Sequence, residues 1–317
     1  MFTVVGEALL DMVQQAPGDS YRALPGGGPL NIAVGLRRLG HPTALMSRFA
    51  AGALGERVRD HALAMDLELS ASVTTRQQAT LAFASVDDSG HAAYDFYTRD
   101  TADWGWTPEE LSGLPASSRA VHTGSLVTAI PPGADRVAEW WSMLAGRGQV
   151  LLSFDPNVRP ALAGPRAEAV RRVERLVASS HVVKASDEDL GWLYPDQDIA
   201  ASLRQWAALG PGLAVLTRGA DGCLGVTPGG VTVELAAHRV QVVDTIGAGD
   251  AFQAGLLSAL ADLGRLSPDA VAHLSEGEVR EALSRASLVS ALTCQRAGAD
   301  PPTRAEHDAA KRTGGDG

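Results

Sequence analysis

The stretch DTIGAGDAF, Asp244 to Phe252, has two glycines within three residues, a carboxylate on each side and an apolar run behind it. Backbone N–H groups of Gly247, Ala248 and Gly249 at the start of a helix would point outward and hold an anion without any lysine. Glycine lets the backbone come close to a phosphate. Asp250 has two readings. It caps the helix, or it works on whatever sits at the anion site. A carboxylate beside a bound anion is electrostatically unfavourable, so the second reading requires a task. A general base supplies one: Asp250 takes the proton of a substrate hydroxyl as that oxygen attacks a γ-phosphate, and the amides stabilise the charge that develops.

These residues need elements to position them. VQVVDT reads as a strand before the glycine turn and AFQAGLLSALADL as a helix after it. Strand patterns in AVHTGSL, QVLLSFDPN, SHVVKAS and LAVLT alternate with helical patterns over 134–146 and 165–179 and in EVREALSRASLVSALTCQ. Such alternation predicts an α/β fold with a doubly wound, mainly parallel sheet, whose ligands bind beyond the carboxyl ends of the strands. In PGGGPLNIAVGLRRLG, at 25–40, three glycines make a turn, Pro29 suits the first helical position, and Gly40 suits the end. Residues 73–98 read as a β-hairpin around a DDSG turn, a small β appendage to the alternating pattern. Residues 303–317 are polar and glycine-rich and read as a flexible tail on a domain spanning 1–302.

The 317 residues carry a formal net charge of -10, which argues against a broad nucleic-acid groove or an anionic membrane as partner. Lysine occurs only at Lys184 and Lys311, so lysine chemistry has few sites. Two cysteines, Cys223 and Cys294, form no metal pattern and suit a reducing compartment. The N-terminus lacks a basic leader and no apolar run approaches the ~18 residues of a membrane span. The expected location is cytoplasmic. A G-x-x-x-x-G-K-[ST] loop is absent, and the first strand is not followed by G-x-G-x-x-G.

DTIGAGDAF resembles the C-terminal signature of the ribokinase-like, or PfkB-type, carbohydrate kinases, and PGGGPLNIAVGLRRLG resembles their N-terminal signature. The two occur in the family's order, and the likeness runs from the first strand to about Gly298. It implies a three-layer αβα sandwich with a mainly parallel sheet and a small β lid formed by about 11–25 and 73–103. It implies Asp250 as catalytic base and Gly247, Ala248 and Gly249 as anion hole. Asp11, Gly27, Gly28 and Asn31 match sugar-hydroxyl contacts. LTRGADG matches the segment along the nucleotide, with Thr217, Gly219 and Gly222 as contacts. Asp244 matches a position that shapes the phosphate loop and often adjoins a K⁺ site; QRAGADPPT matches the rest of that site only in part. KASDEDL stands where the family has N-x-x-E. Ser186 and Asp189 take those places, with Asp189 acting on Mg²⁺ through water, while a capped helix start is the competing reading.

Two further stretches bear on the substrate. FDPNVRP resembles the fructokinase and 2-keto-3-deoxygluconate kinase branches, with Arg159 gripping a hydroxyl or a carboxylate. FYTRDTADWGWT resembles bacterial fructokinases; Arg99 would face the sugar, and Trp104 and Trp106 read as packing residues. The implied activity is phosphorylation of D-fructose at O6 with Mg·ATP. A 2-keto-3-deoxygluconate kinase and, in another class, a non-catalytic sugar or nucleotide sensor are the alternatives. Partners are the small-molecule sugar and ATP, with a homodimer through the lid as the expected assembly.

Overall fold

The computed structural model describes residues 1–15, 20–86 and 92–313. In chain order the strands are β1 (Phe2–Val5), β2 (Leu9–Gln14), β3 (Tyr21–Gly26), β4 (Thr43–Met46), β5 (Arg48–Ala50), β6 (Val73–Thr75) and β7 (Leu81–Val86). There follow β8 (Ala92–Tyr97), β9 (Ala120–Gly124), β10 (Leu151–Asp155), β11 (Val182–Ser186), β12 (Leu213–Thr217), β13 (Cys223–Val226) and β14 (Thr232–Leu235). The helices are α1 (Gly28–Arg38), α2 (Ala53–Ala64), α3 (Pro108–Leu111), α4 (Gly133–Arg147), α5 (Pro160–Ala163) and α6 (Arg166–Ala178). The remaining helices are α7 (Asp187–Leu193), α8 (Ile199–Leu209), α9 (Ala248–Asp262), α10 (Pro268–Ala272), α11 (Glu276–Cys294) and α12 (Arg304–Thr313).

Eight strands form one sheet in the order β14-β13-β12-β11-β10-β9-β1-β4. All its pairings are parallel except those of the β12–β13–β14 edge, which are antiparallel. Its central strands are buried almost throughout because helices cover both faces. Successive residues serve opposite layers. Val4, Leu151, Val182 and Leu213 pack with α1, α9 and α11, whereas Val5, Leu152, Val183 and Ala214 pack with α4, α6 and α8. The predicted three-layer sandwich is therefore present. A second sheet, in the order β3-β2-β7-β8, is formed by the segments expected to make the lid.

Three sequence expectations change. The hairpin is confined to β7 and β8, because β6 pairs in parallel with β5; the DDSG turn lies outside the described residues. VQVVDT is not a strand. The chain must cross from the sheet edge at β14 to α9, and Val243 and Asp244 donate their N–H groups to the Cys294 carbonyl at the end of α11. Val242 and Val243 are left 58% and 62% exposed. Residues 303–317 do not begin as a loose tail, since α12 occupies Arg304–Thr313. Thr303 and Glu306 cap it, the Glu306 carboxylate accepting from the N–H and hydroxyl of Thr303 while the Thr303 hydroxyl accepts from the Glu306 N–H. No described helix is long and apolar enough to cross a membrane.

Candidate active site

The first turn of α9 forms the floor of the site. Gly247 is its N-cap, at φ 75 and ψ 2, and an added Cβ there would lie 2.5 Å from Ala299 Cβ. Only glycine fits this left-handed, crowded position. The Ala248 N–H donates to Thr245 O at 3.2 Å. The N–H groups of Gly249 and Asp250 find no acceptor among the described residues, as the first amides of a helix must. They are the open donors of the loop, and Ala248 is partly spent on closing it.

Asp250 is the third residue of α9 and is buried at 8% exposure, which excludes the simple capping role. Asn31, one turn into α1, donates Nδ2–H to Asp250 Oδ2 at 2.8 Å. Burial pushes the carboxyl up to about 7. The Asn31 hydrogen bond opposes that rise, Asp155 adds to it, and Lys184 and Arg159 oppose it more weakly. A carboxyl with this midpoint, held by Asn31 at a helix start, suits a general base near neutral pH.

Of the other predicted sugar contacts, Asn31 and Gly28 lie against Asp250, and the charge of Arg159 acts on both Asp250 and Asp11. Gly27, at φ 111, has room for no side chain, since an added Cβ would lie 2.8 Å from Glu7 O. A Cβ on Gly28 would lie 3.2 Å from Asn157 Nδ2 and 3.3 Å from Asp250 Oδ1, so the bare backbone of Gly28 keeps the space before the base open. Asp11, on β2 of the lid, is pushed up to about 6 by burial and held back by the charge of Arg159. Arg159 is exposed and curls onto its own turn, donating to Asn157 Oδ1 at 2.6 Å. Asn157 stands at φ 39, a strained position for a side chain and one that presents it toward Gly28. Arg99 is exposed after β8 and has no hydrogen-bond or ion-pair partner among the described residues. Trp104 and Trp106 are buried packing residues, as expected.

On the nucleotide side, β11 and β12 end together, with Ser186 in register with Thr217. Gly219, at φ 51, has open space where a side chain would be, and Gly222, at φ 87, lies against the Leu235 carbonyl. Asp244 Oδ1 accepts from the Ile246 N–H and Oδ2 from the Gly298 N–H, so it holds the phosphate loop to the QRAGADPPT segment. Ser186 and Asp189 form a capping box at α7. Asp189 Oδ1 also accepts from the Val158 N–H at 2.7 Å, so both oxygens are engaged. No group of three or more metal-ligating side chains is found among the described residues.

The sequence reading missed Lys184. Lys184 is 3% exposed, and its ammonium is 2.8 Å from Asp155 Oδ2 and 3.6 Å from where a Gly249 Cβ would stand. The anion site thus has a lysine beneath it after all. In the sequence, a lysine inside an apolar strand pattern is the signal that was available.

Residues 2–306 match the pfkB family of carbohydrate kinases, and the chain belongs to that family. It is an enzyme of the phosphotransferase class that acts on a sugar hydroxyl. The chain is 34% identical over 288 residues to a fructokinase of Rhizobium leguminosarum bv. trifolii, covering 88% of this chain and 86% of the relative. A fructokinase from Xylella fastidiosa with bound ATP superposes with a TM-score of 0.90 at 25% identity, covering 99% of each chain. A fructokinase double mutant from Vibrio cholerae O395, bound to fructose, ADP and a potassium ion, superposes with a TM-score of 0.84 at 25% identity, covering 97% of each chain.

Proposed function

We propose that this chain phosphorylates D-fructose at O6 with ATP. The observation that carries the reading is Asp250, buried, tethered by Asn31 and set against the bare backbone of Gly28, at a helix start whose amides lack acceptors among the described residues. The relatives named fructokinase, and the bound fructose and ADP of the Vibrio cholerae protein, support the sugar. The O6 hydroxyl gives its proton to Asp250 as its oxygen attacks the γ-phosphorus, and the bond from that phosphorus to ADP breaks. Gly249 and Asp250 donate N–H groups to the transferring phosphoryl group. Asp11, Gly27, Gly28, Asn31 and Arg159 hold the sugar, with Arg99 on the lid side. Ser186, Thr217, Gly219, Gly222, Asp244 and Gly249 line the nucleotide, and the exposed Val242, Val243 and Ile246 offer its base an apolar surface.

Mg²⁺ enters with the triphosphate. The ion would be held by phosphate oxygens and water, with Asp189 as an outer partner through water. The K⁺ of the Vibrio cholerae relative supports a monovalent-cation site beside Asp244. The chain acts in the cytoplasm, and the lid carries a dimer contact, with Tyr21 and Tyr97 exposed on it. A 2-keto-3-deoxygluconate substrate is the alternative, with its carboxylate paired to Arg159.

The test is ADP release from Mg·ATP with fructose, 2-keto-3-deoxygluconate, ribose, tagatose, adenosine or no sugar. Fructose should dominate. Asp250→Asn should lower kcat by about 10²–10⁴ while fructose binding, measured by calorimetry, is kept. Preferential turnover of the acid would overturn the substrate. Full activity in Asp250→Asn would overturn the base.

A further inference from the structure

Beneath the first turn of α9 lies a polar cluster cut off from solvent. On the sheet face that α9 covers, β9 supplies His122, β10 supplies Ser153 and Asp155, and β11 supplies Lys184, all at 3% exposure or less. Gln253 of α9 donates to Ser153 Oγ at 2.7 Å, and Ser153 Oγ meets His122 Nδ1 at 3.0 Å. Asp155 accepts from Lys184 at 2.8 Å and, through its other oxygen, from the Asn157 N–H at 3.2 Å. It therefore ties the buried cation to the turn that carries Asn157 and Arg159.

A buried ammonium is costly unless it is paired, and packing alone would be served by leucine or methionine at this position. Its placement has a use. Asp155, Asp189 and Asp250 are all buried close to a site that must also accept a polyphosphate. We propose that Lys184 is the fixed counter-cation of the phosphoryl-transfer site, a positioning residue that, paired with Asp155, sets the electrostatic field at Asp250 and holds the Asn157–Arg159 turn. The proposal rests on the reading of Asp250 as the base. The groups facing Asp250 are Asn31 from α1, Asp155 from β10, Arg159 from the turn after it, and Lys184 from β11. Asp155 and Lys184 act on Asp250 with opposite sign, so removing one unmasks the other.

Asp155→Asn keeps an acceptor for the Asn157 N–H and deletes only the charge. With Lys184 unmatched, the Asp250 midpoint should fall by about half a pH unit or more. It is read in the ligand-free full chain by ¹³C-carboxyl NMR, with the Asp250 signal assigned by Asp250→Asn. The acid limb of kcat should move down with it. Lys184→Met keeps the length and deletes the cation; kcat should fall about 100-fold, and the fructose KM should rise by less than kcat falls as the Asn157–Arg159 turn loosens. The Asp155→Asn/Lys184→Met pair should regain about tenfold over Lys184→Met, because no unpaired charge remains. An Asp250 midpoint unmoved by Asp155→Asn would overturn the proposal, as would a double variant no better than Lys184→Met. If Lys184→Met fails to fold, the Asp155→Asn midpoint decides alone. If Asp250→Asn keeps its turnover, the base assignment falls, while the NMR midpoint still reports whether the pair sets the field.

Discussion

At the residue scale, the chemistry depends on one carboxyl having an unusual midpoint. Asp250 works as a base only when ionised, and burial raises its midpoint to about 7. On the acid side of that value, kcat/KM for fructose should fall about tenfold per pH unit, and it should level off above it. A profile flat from pH 5.5 to 8.5 would remove Asp250 from the reaction. Asn31 donates to the ionised form and so opposes the rise. Asn31→Ala should move the limb to higher pH and raise the fructose KM, and a limb that stays in place would confine Asn31 to sugar binding. Asp250 was legible because its signal is local: two glycines, a carboxylate and a helical run within nine residues. The double duty of Asn31 was not, because its partner lies 219 residues away. Lys184 was hidden for the same reason. Its partner Asp155 sits on the neighbouring strand, and only the strand order puts the two side by side.

At the scale of elements, the lid depends on how its strands leave the body of the molecule. Asp103 stands at the base of the lid, 2% exposed. One oxygen accepts from the Ala8 N–H at 3.0 Å, just before β2, and the other from the Thr80 hydroxyl, just before β7. The Thr80 hydroxyl also meets Thr101, which follows β8. One side chain thus joins three of the segments that connect lid and body. Burial pushes Asp103 up to about 7, and its hydrogen bonds do not reverse this. The folded state therefore keeps a proton between about pH 4 and 7 that the unfolded chain releases, so this group's contribution to stability falls as pH rises through that window. Asp103→Asn mimics the protonated carboxyl and does not titrate. Melting curves should show wild type losing stability relative to the variant between pH 5 and 8, by up to a few kcal/mol. A constant difference across that range would show that Asp103 is ionised throughout. The hairpin of this lid was legible from alternation and aromatic content, but its start was not. Residues 73–75 have the same β-branched character, and β6 pairs with β5 instead. VQVVDT was misread for a related reason: strand propensity is satisfied only where the chain pairs along a sheet edge, and this crossover gives its Val243 and Asp244 N–H groups to the end of α11 instead.

At the scale of the whole molecule, the base and its tether lie on two helices whose packing must be fixed along their length. An added Cβ on Gly35 of α1 would lie 2.7 Å from Ala254 Cβ of α9, so the helices cross in close contact there. The far end of the pair is held by α12. Arg304 donates to the Leu39 carbonyl at the end of α1 and to Ser258 and Asp262 near the end of α9, with His41 beside it. Polar composition alone suggested a loose tail. The sequence T-R-A-E at 303–306 carried the capping signal against that reading, but the ordering contacts come from residues 42 to 265 positions earlier. Arg304 replaces several waters with fixed acceptors on two helices, so Arg304→Ala should cost about 1–3 kcal/mol, or roughly 2–10 °C in Tm. Deleting residues 303–317 should cost more, because the buried His307 is lost as well. The active site is at the opposite end of α1 and α9, next to Asn31 and Asp250. Arg304→Ala should therefore leave kcat at 25 °C within about twofold while inactivation on heating begins earlier. An unchanged Tm would show that α12 does not brace the pair. A large loss of kcat at full stability would show instead that the ends of α1 and α9 are coupled, and that the tether from Asn31 to Asp250 depends on α12.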